Sequence, residues 1–236
     1  MEKPLKGWED LIDALLVDIN SGMYRADQRL PGEYELADRF GVTRADVRKA
    51  YDRLKEFGYV YSIQGKGSFF RGPQEIIPLR LRGGSFSHKM KELGLPYESR
   101  NIMAAPIPYT PLVFEPLGAA REDKVWEIVR LRIISGEPVA IHTSFLPERV
   151  FPGLPQDGER ITSVFSYFEE TGQAGHKGEG ARISVGSLTR REREVLGVAG
   201  YAPCLVYSGR RFAQDGQTVL EFMRTVYRAD RFCFLL

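Results

Sequence analysis

The chain has 236 residues, 43% of them apolar, with 33 Lys and Arg against 31 Asp and Glu. That length allows two domains with separate cores, and no apolar run approaches the roughly 20 residues needed to cross a bilayer. Acidic residues interrupt the opening MEKPLKGWEDLIDAL where a signal peptide needs an unbroken apolar stretch, so a cytoplasmic location is expected and no membrane partner.

The small net charge of +2 hides an asymmetry. Residues 1–43 carry five basic and nine acidic side chains, whereas residues 44–71 carry seven basic and three acidic. A basic segment of this kind is suited to a polyanion. The two cysteines, Cys204 and Cys233, fall in strand-like segments and are expected to be buried thiols of a reducing compartment. His88, His142 and His176 are far apart without ligand spacing, so neither a zinc site nor any cofactor is expected.

Trp8, Leu11, Ile12, Leu15, Leu16 and Ile19 repeat at helical spacing, and Gly22 ends that first helix. A loop, MYRADQRLPG, leads to a second helix over 34–40, which Gly41 stops in the left-handed cap conformation. Thr43 is a natural N-cap for a third helix, with Asp46 in the position of a capping-box carboxylate. Val47, Ala50, Tyr51 and Leu54 then face a core, while Arg44 and Arg48 project from another face. Arginines there can grip phosphates or bind a guanine edge through paired hydrogen bonds. Beyond Gly58 the pattern turns to β over 59–63 and 68–70, around a tip of Gln64, Gly65, Lys66 and Gly67. The two glycines allow a tight tip that comes close to a sugar-phosphate backbone.

Two short helices followed by a glycine-tipped hairpin are the layout of a winged helix-turn-helix. The run Leu30-Pro31, Glu33, Leu36-Ala37, Gly41-Val42-Thr43-Arg44, Val47-Arg48, Ala50, Leu54, Gly58 and Gly65-Lys66-Gly67 resembles the DNA-binding domain of the GntR family of bacterial regulators. The resemblance implies that double-stranded operator DNA is read by Arg44 and Arg48, with Thr43, Gln64, Gly65, Lys66 and Gly67 at the backbone. Two positions depart from the family pattern. Tyr34 stands where arginine is frequent and can donate to a phosphate; Asp46 either caps its helix or accepts from a cytosine amino group.

Residues 1–72 are therefore read as the DNA-binding domain, 73–82 as an extended linker with two prolines in RGPQEIIPLRLR, and 83–236 as a second domain. In the latter, helices are expected over 87–93, 111–117, 163–171 and 189–196. Strands are expected over 98–105, 124–134, 138–146, 203–212, 218–227 and 232–236. Gly136-Glu137 and Asp215-Gly216 mark hairpins, and an antiparallel sheet flanked by helices follows, giving an α+β chain. Strand alternation puts Arg130 with Arg132, His142 with Ser144, and Glu221 with Met223, Thr225 and Tyr227 on shared faces. Like charges on one face need acids or an anion between them, so these sets point to a polar cavity with an anion-binding end.

The segments Ser85-Phe86-Ser87 with Met90 and Leu93-Gly94, Arg130-Leu131-Arg132, Gly136-Glu137-Pro138, Thr143-Ser144-Phe145-Leu146-Pro147, Leu196-Gly197 and Tyr227-Arg228-Ala229-Asp230-Arg231-Phe232 resemble the UTRA effector domain of the HutC subfamily. That fold is similar to chorismate lyase. The resemblance implies a homodimer that binds a small, often acidic or phosphorylated metabolite. It assigns Ser85 and Ser87 with Arg130 and Arg132 to the anionic group and Glu221 and Tyr227 to the rest of the effector, with Ser163 and Phe165 lining the pocket and Phe86, His142 and Ser144 also at the effector site. Sugar-phosphate sensors of the type resemble a carboxylate at the place of His142 and a tyrosine at that of Phe165. Both changes point to an anionic ligand with a less hydroxylated body. The expectation is a metabolite-responsive repressor on an inverted-repeat operator; the alternative is an enzyme acting on a small aromatic or anionic acid, for which no nucleophile–base pair or cofactor loop is visible.

Overall fold

The structure, a computed structural model, describes residues 7–72, 76–80, 85–173, 175–177, 181–198 and 202–235. It divides into two compact units, one running to Ile76 and the other comprising Ile77–Gly197 and Pro203–Leu236.

In the first unit, Leu11, Ile12, Leu15 and Ile19 line one side of α1 (Trp8–Asn20). They meet Leu36 of α2 (Glu33–Phe40) and Val47, Ala50, Tyr51 and Leu54 of α3 (Arg44–Glu56) in a single core. Gly41, at φ 67°, closes α2 in the left-handed region. The Thr43 side chain accepts from the Asp46 amide at 3.1 Å, and the Asp46 carboxylate accepts from the Thr43 amide at 3.2 Å, so α3 begins with the anticipated capping box. Strands β1 (Val60–Ile63) and β2 (Gly67–Phe70) pair antiparallel, with Val60 and Phe70 turned into the same core. The segment before α2, read as loop, adds a third edge: Arg29 bridges Phe69, and the Leu30 amide donates to the Ser68 carbonyl at 2.9 Å.

The second unit contains β3 (Ile77–Arg80), α4 (Phe86–Glu92), β4 (Tyr97–Ile107), α5 (Pro111–Leu117), β5 (Val125–Ile134) and β6 (Glu137–Pro147). It continues with α6 (Leu154–Asp157), a 3-10 turn (Gly158–Arg160), α7 (Val164–Glu170), β7 (Gly175–Lys177), β8 (Arg182–Ser187), α8 (Arg190–Leu196), β9 (Pro203–Ala213), β10 (Val219–Arg228) and β11 (Phe232–Leu235). The main sheet is antiparallel in the order β4-β5-β6-β10-β9-β7, with β8 also on β9. Apolar clusters cover both faces: Phe151, Tyr167 and Phe168 pack with Ile128 and Leu146 on one, and Val113, Phe114 and Leu117 of α5 pack with Val125 and Phe145 on the other, while Met90, Ile134, Val139 and Phe232 form a further cluster. Burial on both faces is why β5 reads as a nearly continuous apolar run.

Three details differ from the sequence reading, and a fourth falls outside the described residues. Residues 77–80, assigned to the linker, form β3, which pairs parallel with β11 (Ile77 opposite Phe232), so the second unit begins at Ile77. Gly83, the expected domain start, and residues 73–75, 81, 82 and 84 lie outside the described residues. The β5–β6 turn sits one residue early, at Ser135 and Gly136 with φ 51° and 82°, the double positive φ of a two-residue hairpin loop. Finally, Cys204 is buried as expected but Cys233 is exposed; both are free thiols. Among the described residues no helix is long and apolar enough to cross a membrane, and no three His, Cys, Asp or Glu side chains are grouped to hold a metal ion.

Candidate functional site

Two surfaces collect the residues singled out by sequence. On the first unit, α3 presents Arg44 and Arg48 outward, four residues apart. Arg48 donates from Nε and Nη2 to the two oxygens of Glu33 at 3.1 and 2.9 Å. Arg44 lies over the Tyr34 ring, its guanidinium carbon 3.8 Å from the centroid, and donates to the Tyr34 hydroxyl at 2.8 Å. The Arg48 hydrogen bond holds the Glu33 carboxyl below its ordinary value. Asp46 is occupied by the cap, its carboxylate also accepting from the Thr43 hydroxyl at 2.5 Å. This geometry favours the capping role over cytosine contact. At the wing tip Gln64, Gly65, Lys66 and Gly67 are exposed, and Gly65 and Gly67 take φ of 75° and 109°. Arg29, which the sequence reading passed over, lies beside the tip: a Cβ on Gly67 would sit 3.1 Å from its Nε.

On the second unit, sheet register assembles a buried polar layer. Arg130 of β5 is opposite His142 of β6, His142 is opposite Thr225 of β10, and Thr225 is opposite Tyr207 of β9. Arg130, 1% exposed, donates to the Ser144 hydroxyl, which donates to Glu221. Glu221 also accepts from Arg211 Nε at 3.3 Å and faces His142 Nε2 at 3.8 Å, while His142 Nδ1 is 2.9 Å from the Thr225 hydroxyl. Arg132 donates to Ser99 Oγ and lies 5.1 Å from the Phe86 ring.

Three guanidinium groups thus share the layer with one carboxylate: Arg211 bonds it directly, Arg130 reaches it through Ser144, and Arg132 is held by Ser99. Burial opposes the charge on Glu221, but the His142 ring, Arg211 and Arg130 more than offset it and hold the carboxyl well below its usual range. Burial, then Arg130, pushes His142 down to about 3, so the ring is neutral at pH 7. Burial, with Arg132 adding repulsion, lowers Arg130 to about 9, and burial lowers Arg132 to about 10; both stay charged at neutral pH. The Nε atoms of Arg130 and Arg132 are buried without a hydrogen-bond partner.

Above this layer lies a cavity of about 70 Å³. Leu79, Phe86, Met223, Tyr227 and Phe234 supply apolar wall; Ser85, His142, Tyr207 and Thr225 supply polar atoms; Arg80, Lys89 and Arg211 border it. An adjoining open depression contains Ser85, Ser87, Ser99, Ser163, Phe165 and Ser166. Of the residues expected at the effector, Ser85, Phe86, His142 and Tyr227 line the cavity, and Ser85, Ser87, Ser163 and Phe165 line the depression. Arg130, Arg132, Ser144 and Glu221 line neither and form the layer behind it. Arg211, Ser99 and Tyr207 are structural additions to the site, whereas Thr225 lies on the polar face that strand alternation had already marked. The same two-residue alternation in PCLVYSGRRFA puts Tyr207, Gly209 and Arg211 on one face and could have found two of them.

Comparison with known proteins bears on both surfaces. A family described as bacterial regulatory proteins, gntR family, matches residues 8–70, and one described as UTRA domain matches residues 92–233. The HTH-type transcriptional repressor NagR of Bacillus subtilis (strain 168) is 28% identical over 235 residues, spanning 99% of this chain and 95% of its own. The HTH-type transcriptional regulator TreR of the same organism is 29% identical over 92% of this chain and 90% of its own. The crystal structure of PhnF from Mycobacterium smegmatis shares the fold, with a TM-score of 0.62 at 24% identity over 95% of this chain and 98% of that one.

Proposed function

The chain belongs to the gntR family of bacterial regulatory proteins and carries a UTRA domain, and on that footing we propose that it acts as a homodimer on an inverted-repeat operator and answers to a small anionic effector. It is a metabolite-responsive, DNA-binding transcriptional repressor and not an enzyme, in line with relatives that match it along nearly their whole length. Its place of action is the cytoplasm, where the operator lies. Two recognition helices, one per protomer, read the two half-sites, because a two-fold protein fits a two-fold sequence. Arg44 and Arg48 read bases, and Lys66 with the neighbouring wing residues contacts the backbone.

One observation carries the anionic effector: three arginines share the layer with the Glu221 carboxylate, which Arg211 bonds directly and Arg130 reaches through Ser144, and the buried Nε atoms of Arg130 and Arg132 have no partner. An anion in the adjoining cavity relieves that excess charge. Glu221 is already engaged by Ser144 and Arg211, and both His142 nitrogens face protein groups, so little acceptor capacity is left for ligand hydroxyls. With Phe86, Met223, Tyr227 and Phe234 in the wall, this supports an effector whose body is largely apolar. Such a ligand switches the protein only through different affinities for its DNA-bound and free conformations.

The test is binding of the full chain to DNA from upstream of its own gene and to a scrambled duplex at one physiological salt concentration, followed by a panel of small carboxylates and phosphates. A preference of about a thousandfold, altered by an apolar-bodied anion and not by its uncharged amide, is the expected result. Equal affinity for both duplexes, or an effect of the amide alone, sinks the proposal.

A further inference from the structure

We propose that Glu33 and Tyr34, in the first turn of α2, are positioning residues that hold the two readout arginines and thereby set how strongly the protein prefers its operator to other DNA. The inference rests on the placement of α3 as the recognition helix.

Tyr34 is 72% exposed, so it serves no core. Its contacts are with Arg44: the guanidinium lies 3.8 Å from the ring centroid, and the hydroxyl accepts from Nη1 at 2.8 Å. A guanidinium held over an aromatic ring and hydrogen-bonded to its hydroxyl loses rotamer freedom before it meets DNA. Its planar fork is then aimed in advance, which is what two-point recognition of a guanine edge needs. A hydroxyl already accepting from Arg44 is better placed to orient that side chain than to serve as an independent phosphate donor.

Glu33 treats Arg48 differently. Its two oxygens take both Nε and Nη2 of Arg48, and one of them lies 3.5 Å from Arg44 Nη2. A DNA phosphate approaching Arg48 must therefore displace a carboxylate that already holds the guanidinium at two points. A single phosphate contact offers no better geometry than Glu33. A correct base edge, reached together with the Arg44 contact, does. Glu33 thus weakens phosphate-only binding more than it weakens operator binding, and it offsets the repulsion between two arginines on one helix face.

The experiment uses the full chain, a duplex that it selects from a random-sequence pool, and the scrambled form of that duplex at constant salt. Glu33→Gln is expected to tighten binding to scrambled DNA several-fold while leaving the selected duplex unimproved, so that the preference falls about tenfold or more. Glu35→Gln, an equal charge change at an exposed position of the same helix, is expected to move both affinities together. Tyr34→Ala is expected to loosen the selected base preference, and Tyr34→Phe, which keeps the ring under Arg44, to do so less. Parallel shifts on both duplexes for Glu33→Gln, or equal losses on both for Tyr34→Phe, overturn the inference. Arg44→Ala serves as the reference: a variant that keeps full operator preference removes the recognition-helix placement itself, whereas its ordinary loss beside an unmoved Glu33→Gln ratio removes only the positioning role.

Discussion

A single histidine shows how the buried layer of the second unit couples to solution conditions. His142 is enclosed by Arg130 of β5, Thr225 and Glu221 of β10, and the Tyr207 strand. Its pKa falls from 6.5 to about 3 on folding, by burial first and Arg130 second. Between those values the unfolded chain binds a proton that the folded ring refuses, so stability is full above about pH 6.5 and declines as pH falls towards 3. Glu221, whose carboxyl is depressed from 4.5, adds a second loss below that value. Thermal melting of the full chain is therefore expected to shift downward between pH 7 and 5, and His142→Gln to flatten that shift; an unchanged slope in the variant would show that other groups titrate there. Sequence alternation could nominate Arg130, Arg132, His142, Ser144 and Glu221, because their strand faces follow from spacing alone. It could not name Arg211 as the partner of Glu221 or Ser99 as that of Arg132, since the strand order β4-β5-β6-β10-β9 is a tertiary property that spacing does not encode.

At the level of elements, the strongest local signals held: the Thr43–Asp46 capping box, the left-handed Gly41, the glycine-tipped hairpin and the long alternating strands of the second unit. Each depends on neighbours in sequence. Strand β3 does not, and two prolines with flanking charge made its stretch look like linker. Its Ile77 and Leu79 turn inward while Pro78 and Arg80 face outward, a pattern of only four residues that becomes legible once β11 lies alongside. Proline is tolerated there because β3 is an edge strand. The pairing makes a chemical prediction. Pro78 and Cys233 are register partners, and both are exposed. Adjacent strands lie about 4.8 Å apart, within the span of roughly 4.4–6.8 Å between Cα atoms that a disulfide bridges. Pro78→Cys is expected to cross-link to Cys233 under mild oxidation, detected by non-reducing mass analysis of a proteolytic digest, while the inward Leu79→Cys stays unlinked. Linkage of Leu79→Cys in preference to Pro78→Cys would mean a register shifted by one residue.

Across the molecule, charge is divided in a way that the total conceals. The basic stretch 44–71 holds α3 and the hairpin proposed to meet DNA, and the acidic stretch before it supplies Glu33, which pairs with α3. On that proposal, affinity for DNA of any sequence comes from the basic stretch, and each phosphate neutralised contributes about 0.9 to the slope of log affinity against log salt. Lys66 sits at the exposed wing tip, so in a homodimer with both wings on the duplex Lys66→Ala removes two such contacts. The slope is expected to become shallower by about 1.8, and by the same amount on operator and scrambled DNA, because phosphate contacts position a protein without reading sequence. Binding titrations at four or five salt concentrations measure it. A change of about 0.9 would mean that only one wing of the assembly engages, which contradicts a two-fold complex on an inverted repeat. A change confined to the operator would mean that the tip reads a base, and an unaltered slope would take the wing off the DNA backbone altogether.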